Sequence, residues 1–246
     1  MAVITQMAYT SSSTEIAFMQ GFIDLICGLD NDITCEDVNG NETTAAAQFA
    51  DLTSASRASF YFNFNNAVKI EFRRGTNNNS AAKNYNVYVN NVSVVGLNFA
   101  SGTASPTTST NRSWFVGYAK GNDTLCLWLG SYNISALSNT NLSVLRIKTS
   151  NNNYLGYINS SAIMTSTLYS TSASVTFANV LPYACQSGYI DYISNAKFVS
   201  GGTKQFETSD FLSCSTVSLF SNIALPNGKN YLAVGTNTLL EVTATS

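Results

Sequence analysis

Four carboxylates crowd into one short stretch, "DNDITCED": Asp30, Asp32, Glu36 and Asp37. Two chemistries use such a cluster. Paired carboxyl groups about 5–10 Å apart in a cleft, one with a raised pKa, hydrolyse glycosidic bonds. Alternating Asp and Asn oxygens ligate a hard cation such as calcium. Beside Asn31, Asn39, Gly40 and Asn41, however, these carboxylates stay solvated and ionised, so no general acid is expected among them. Asp37, Asn39 and Asn41 alternate as cation ligands do, but Gly40 is misplaced for an EF-hand and no bidentate glutamate follows at the right distance. An acidic loop without metal is the expectation, with calcium as the alternative.

The rest of the chain offers little else that reacts. It has no histidine. That removes Ser-His-Asp and Cys-His nucleophile pairs and the usual histidine-based zinc or iron sites. No Walker loop, no GxGxxG after a strand and no CxxC occurs. Cys27, Cys35, Cys126, Cys185 and Cys214 are scattered and mostly embedded in apolar sequence. They read as buried reduced thiols, with Cys27–Cys35 the one local bridge worth naming. No catalytic residue, cofactor or metal is expected, and the chain reads as a non-enzyme.

A second constellation is aromatic: Trp114, Tyr118, Trp128, Tyr132, Tyr154 and Tyr157. Exposed aromatics on a β-sandwich stack on sugar rings, which makes Trp114, Tyr118 and Tyr132 candidate glycan-stacking residues. Core filling is the competing reading and the stronger one, because Trp114 and Tyr118 share a face with three leucines.

The element carrying these aromatics is "RSWFVGYAKGNDTLCLWLGSY", residues 112–132, a hairpin around "KGND". Successive strand side chains point to opposite faces. With a turn centred on Gly121 and Asn122, Trp114, Val116, Tyr118, Leu125, Leu127 and Leu129 share one face. Phe115, Gly117, Ala119, Thr124, Cys126 and Trp128 share the other, with Phe115 opposite Trp128. Neither face is polar, so each needs a cover. Burying Phe115 and Trp128 contributes on the order of 2–3 kcal/mol each. The candidate covers are the N-terminal helix and a second subunit, which makes Phe115, Trp128, Ile16 and Phe22 candidate interface residues and predicts a homo-oligomer.

The helix is announced by "SSSTEIAFMQGFIDLICGL". Ser12 and Glu15 stand at capping-box spacing, Ile16, Met19, Phe22, Ile23 and Ile26 recur at helical intervals, and Gly28 marks a stop. "DNDITCEDVNGNETT" reads as a loop and "TTAAAQFADL" as a short second helix. From Ala58 onward the period becomes two. "FYFNFNNAVKIEF" and "YNVYVNNVSVVG" are paired strands around Asn-Asn turns, and further strands are expected at "SVLRIKT", "YLGYI", "SVTFANV", "GYIDYIS", "TVSLF" and "YLAVGTNTLLEV". "GLNFASGTASPTTSTN" reads as a long exposed loop. The predicted class is mainly β: an antiparallel β-sandwich, jelly-roll-like, with a short N-terminal α-helix. The expected division is a helix and acidic-loop segment, 1–54, ahead of the sandwich domain, 55–246.

Charge constrains the partners. Charged residues make up 11 % of the 246-residue chain and the net charge is −2, where soluble domains carry roughly 25 % charged residues. The first 56 residues hold eight acidic and no basic residues, the remainder twelve basic and six acidic. With no Lys/Arg-rich run to neutralise phosphates, nucleic-acid binding is not expected. No stretch approaches the roughly 20 apolar residues of a membrane span, so membrane insertion is not expected either. "MAVITQMAYTSSS" lacks the basic start and apolar run of a secretory signal, which predicts synthesis in a cytoplasm.

Taken together, the short helix "STEIAFMQGFIDLI" ahead of an all-β body, the Asn/Ser/Thr-heavy, histidine-free composition and the closing "LPNGKNYLAVGTNTLLEV" resemble small virion proteins of tailed bacteriophages. The resemblance is one of style spread over the whole chain, and no functional residue carries over from it. It implies a structural role in a tail, baseplate or fibre, or as a capsid decoration. Other virion proteins would be its partners, and the virion its location after synthesis in the host cytoplasm. The alternative it leaves is a receptor-binding module of a phage tail that holds a host-surface glycan.

Overall fold

The computed structural model describes residues 2–9, 15–44, 47, 59–74, 84–89, 91–98, 112–131, 140–148, 151–159, 168–169, 174–178, 192–200, 203–214, 217–218, 220–226, 228–235 and 238–242. The protein is mainly β, built of antiparallel strands with a short N-terminal helix. It divides into two units, one comprising Gln6–Val116 and the other Met1–Thr5 with Gly117–Ser246. The break therefore does not fall at residue 54: the helix and the acidic loop belong with the first sheet. The reason is the helix's apolar face, which must be buried against something and finds that sheet.

In the first unit, α1 (Glu15–Leu29) is followed by β2 (Ile33–Glu36), β3 (Ser59–Phe64), β4 (Val68–Arg74), β5 (Asn84–Val89) and β6 (Val92–Asn98), which form a sheet in that order. The helix runs one residue past the expected stop at Gly28. Met19, Phe22, Ile23 and Ile26 are all buried, as their spacing requires of one face. Phe22 is the anchor, 6.0 Å from the ring of Phe62 and 5.8 Å from that of Phe72. Period-two alternation sends Phe60, Phe62, Phe64, Val68, Ile70, Phe72, Tyr85 and Val87 into this core. There Phe60 stacks on Phe72 at 5.2 Å, a geometry that adds to area burial alone.

Two expectations change here. "ITCE", read as loop, is β2, because Ile33 and Cys35 alternate inward and pair with Phe64 and Phe62. Of the expected second helix only Thr43, Thr44 and Ala47 are described; Thr44 Oγ1 accepts the Ala47 N–H at 3.2 Å, as a helix N-cap does. The Asn-Asn turn between β3 and β4 follows the expectation: Asn65 and Asn66 have φ of 50° and 58°. Asn63 Oδ1 accepts the Asn66 N–H at 2.8 Å and locks it.

The second unit draws on a sheet whose order is β1-β7-β8-β9-β10-β11-β12-β13-β14-β17-β16-β15. Its strands are β1 (Ala2–Tyr9), β7 (Arg112–Lys120), β8 (Thr124–Ser131), β9 (Thr140–Lys148), β10 (Tyr154–Asn159), β11 (Leu168–Tyr169), β12 (Ser174–Ala178), β13 (Tyr192–Ser200), β14 (Thr203–Cys214), β15 (Asn222–Ala224), β16 (Asn230–Gly235) and β17 (Thr238–Val242). The division between units runs through β1 and β7. Six strand spacings of about 4.8 Å would separate β8 from β14 by roughly 29 Å in a flat sheet. Instead Thr124 Oγ1 of β8 lies 2.8 Å from Asp210 Oδ2 of β14. The sheet therefore folds back on itself, sandwich-fashion.

Several sequence expectations in this unit are corrected. β1 and β14 had no counterpart among the expected strands; "TKQFETSDFLSC" is too polar to advertise its alternation. "YLAVGTNTLLEV" is a hairpin, β16 and β17, not one strand. Of "TVSLF", Val217, Ser218 and Phe220 are described, and none of the three lies in a strand. Phe220 has φ 58°, and the Phe220 N–H bonds the Ala233 carbonyl at 2.7 Å. Of the expected long loop after Val95, Gly96–Asn98 belong to β6, and the remainder lies outside the described residues.

Candidate functional site

The β7–β8 ribbon is buried on both faces, as its composition demands. Trp114, Val116, Tyr118, Leu125, Leu127 and Leu129 are buried on one face, and Phe115, Ala119, Thr124, Cys126 and Trp128 on the other. The cover over Trp128 comes from the same chain. Phe220 meets its indole edge-on at 5.5 Å. The turn is also shifted from its expected centre: the Gly121 N–H bonds the Thr124 carbonyl at 2.9 Å, leaving Asn122 and Asp123 at the tip. Trp128 consequently lies across Gly117, where an added Cβ would stand 3.3 Å from the indole. Glycine here is the space the indole occupies.

This corrects the candidate interface. Phe115 and Trp128 are each 1 % exposed and Phe22 is 0 % exposed, so all three are interior residues with no surface to offer a second subunit. Ile16 lies in α1, but its side chain is outside the described residues. Trp114 and Tyr118, at 2 % and 1 % exposure, cannot stack on a sugar, and Tyr132 lies outside the described residues.

A polar group found only in the structure holds this ribbon in place. Asp210 is fully buried, and its Oδ2 accepts the Asp123 N–H and the Thr124 hydroxyl, each at 2.8 Å. The Lys148 N–H bonds the Asp123 carbonyl at 2.7 Å. The turn is thus tied to β9 and β14 at once. Arg146, also buried, lies against the ring of Tyr154 with Cζ 4.9 Å from its centroid. Burial pushes the nearby Cys126 thiol far up; Asp210 adds to the shift and Arg146 opposes it. Burial likewise pushes Cys35 up to about 12 and Cys27 up to about 11. A thiol so held is not a nucleophile at neutral pH. Cys27, Cys35 and Cys126 are all free thiols.

The acidic stretch does not converge on a cleft. Asp30 Oδ1 accepts the Asp32 N–H at 2.9 Å, and Asp32 Oδ1 accepts the Asn65 amide at 3.1 Å. Glu36 pairs with Lys69 and accepts the Asn63 amide. Burial raises the Glu36 carboxyl, but the Lys69 and Asn63 hydrogen bonds and the Lys69 charge outweigh it and hold the group below its ordinary value. Asp37 accepts the N–H groups of Asn39 and Asn41 at 2.8 and 2.9 Å and is held low by them. Each carboxylate is thus committed to a turn or an ion pair. Among the described residues no three Asp, Glu or Cys side chains are grouped to hold a metal.

Opposite the aromatic core, the five-stranded sheet presents a face that sequence reasoning wrote out as alternation without reading as a surface. Tyr61, Glu71 and Tyr88 stand in one row across β3, β4 and β5. Lys69 Nζ sits 4.6 Å from the Tyr61 centroid, and Arg73 Cζ 4.0 Å from that of Tyr88. Arg73 grips Glu71 with two hydrogen bonds of 2.8 Å. These bonds hold the Glu71 carboxyl low against the opposing effect of burial. Both tyrosines are half-buried, and the charges cancel pairwise.

The two edges of this sheet differ. The β2 edge is sealed by its own loop. The Thr43 N–H bonds the Cys35 carbonyl at 2.9 Å, Glu42 bridges Glu36, and the Asp37 N–H bonds the Asn41 carbonyl at 2.9 Å. The β6 edge, "VSVVGLN", pairs with β5 alone among the described strands and carries no charge. Val92 is 67 % exposed there, the most exposed of the large described hydrophobics. No protein-family model, curated protein or solved structure matches the chain.

Proposed function

We propose that the chain is a non-enzymatic structural subunit of a bacteriophage particle, assembling through β-rich interfaces in a tail, baseplate or fibre or on the capsid. The observation that carries this reading is the β6 edge. Exposed backbone N–H and C=O groups on an uncharged edge strand are a template for another strand, and soluble proteins blunt such edges unless they use them. Low charge density supports the same reading, since Lys and Glu are depleted where surfaces associate permanently. The non-enzymatic part of the proposal is supported by the lack of histidine and, among the described residues, by the inert Cys27, Cys35 and Cys126 thiols and the committed carboxylates of the acidic stretch. The chain is made in the host cytoplasm and ends in the virion beside other virion proteins. Quantitative mass spectrometry of gradient-purified particles tests this: the chain co-purifies at a fixed multiple of the other virion proteins, and enrichment in the soluble lysate with none in the particles overturns the reading.

A second reading, a glycan-binding module on a phage tail, is favoured by the Tyr61/Tyr88 face. Its two rings lie two strands apart, about 10 Å, beside the amides of Asn63 and Asn86. Aromatic rings framed by planar polar groups suit a neutral polyhydroxylated ligand. Tyr61→Ala with Tyr88→Ala abolishes adsorption of the isolated chain to host cells on this reading, and unchanged adsorption removes it.

A further inference from the structure

We propose that the side chains of Lys69 and Asn63 join in an intramolecular amide bond, with loss of ammonia, and that Glu36 catalyses the step; the inference is independent of the assembly reading above. Asn63 and Lys69 stand directly opposite each other across β3 and β4. Side chains so paired share a face, with Cβ atoms about 4.5–5.5 Å apart. Glu36 of β2 reaches both: its Oε2 pairs with Lys69 Nζ, and its Oε1 accepts the Asn63 side-chain amide. Nucleophile and leaving nitrogen are thus held by the two oxygens of one carboxylate. Asn66 fixes the amide group as well, its Oδ1 accepting Asn63 Nδ2 and its N–H donating to Asn63 Oδ1, each at 2.8 Å. Lys69 Nζ is steadied by the Tyr61 ring, whose centroid lies 4.6 Å away, and by the turn at Gly40, where an added Cβ would stand 3.8 Å from Nζ. Asn63 is buried at 9 % exposure.

Each part of an acyl transfer is present. A lysine amine attacks only without its proton, and Glu36 is the base placed to take it. Nζ then bonds Asn63 Cγ. The Asn66 N–H lies where negative charge develops on Oδ1, as an oxyanion donor does. The Cγ–Nδ2 bond breaks, and the two protons that Nζ loses pass by way of Glu36 to Nδ2, which departs as ammonium. Atoms and charge balance with no further reactant. An amide and an amine are inert to each other in free solution, but groups held in place reach effective concentrations of roughly 10⁵–10⁸ M. At rest the pair is ionic, with Glu36 below its ordinary value and the Lys69 side chain 39 % exposed. The reactive neutral pair is therefore a minority species and the step slow, yet ammonia diffuses away and each bond formed is kept. The step occurs once per chain and leaves no free catalyst. The Arg73–Glu71 pair beside it has no such outcome, because a guanidinium keeps its proton and does not attack. Since the closed loop runs only from Asn63 to Lys69, the bond locks the β3–β4 register more than it restricts the unfolded chain.

Intact-mass spectrometry of the full chain, fresh and after prolonged incubation at mildly alkaline pH, tests this. The expected result is a growing species lighter by one ammonia than the 26.4 kDa chain, with fragmentation placing the link between Asn63 and Lys69. Lys69→Arg removes that species, and Glu36→Gln slows its growth about 10²-fold or more, with circular dichroism checking that both variants fold. A chain whose mass never changes overturns the bond. So does an ammonia loss that hydroxylamine cleaves, which marks a cyclic imide at Asn39–Gly40 or Asn227–Gly228 and not an amide to lysine. Cross-linking of Glu36→Gln at the parent rate overturns the role given to Glu36. The fragmentation map of the unsubstituted chain decides the bond itself, whether or not a variant folds.

Discussion

At the scale of single residues, Asp210 and Gly121 hold the turn between β7 and β8. An added Cβ at Gly121 would stand 2.6 Å from Asp210 Oδ2 and 2.9 Å from the Glu241 carbonyl oxygen. Gly121→Ala therefore forces backbone apart and lowers unfolding free energy by about 1–3 kcal/mol, measured by urea denaturation. Asp210→Ala strips the Thr124 hydroxyl, buried at 1 % exposure, of its acceptor and costs about 1–3 kcal/mol for that group. Phe220→Ala uncovers the Trp128 indole and shifts tryptophan emission to the red, whereas an unshifted spectrum would mean that something else covers it. None of these roles was legible in the sequence. Gly121 reads there as an ordinary turn residue and Asp210 carries no signal, because their meaning comes from partners 86 and more positions away along the chain. The greasiness of Phe115 and Trp128 was legible, but not the identity of their cover.

Among the elements, those with strong local periodicity were the legible ones. α1 and the β3–β4 pair announce themselves because a phenylalanine every second residue, or an isoleucine every third or fourth, has one geometry that buries it. β14 and β2 were not legible: the first alternates polar with polar, and the second is four residues inside an acidic stretch. The polar face of the five-stranded sheet was visible as alternation in "FYFNFNNAVKIEF", yet its ion pairs depend on register across strands. Those pairs set the acid response. The Glu36 and Glu71 carboxyls are held below their ordinary value of 4.5. Their contribution to stability is therefore present above pH 4.5 and is lost as pH falls through the depressed values. Urea midpoints should hold steady from neutral pH to about pH 5 and then drop, and Glu36→Gln with Glu71→Gln should flatten that drop. Phe22→Ala empties the centre of the aromatic core and costs about 3–5 kcal/mol.

For the molecule as a whole, composition foretold a β-rich, weakly charged chain, and the chain is that. Residues apolar enough to suggest an interface, Phe115, Trp128 and Phe22, are interior residues instead. The β6 edge, uncharged and paired with β5 alone among the described strands, is a backbone feature that no hydrophobicity count registers. Alkaline stability follows from the same interior. Burial raises Cys35 from 9.0 to about 12 and Tyr157 from 10.0 to about 12. Stability is thus complete below pH 9 and is lost as pH climbs toward 12, a midpoint shift that Cys35→Ser reduces. The central claim, that this chain is a building block, meets its most direct test in electron cryo-microscopy of intact particles. The account predicts density for many copies of the five-stranded unit. Particles whose density is wholly accounted for by other chains would contradict it.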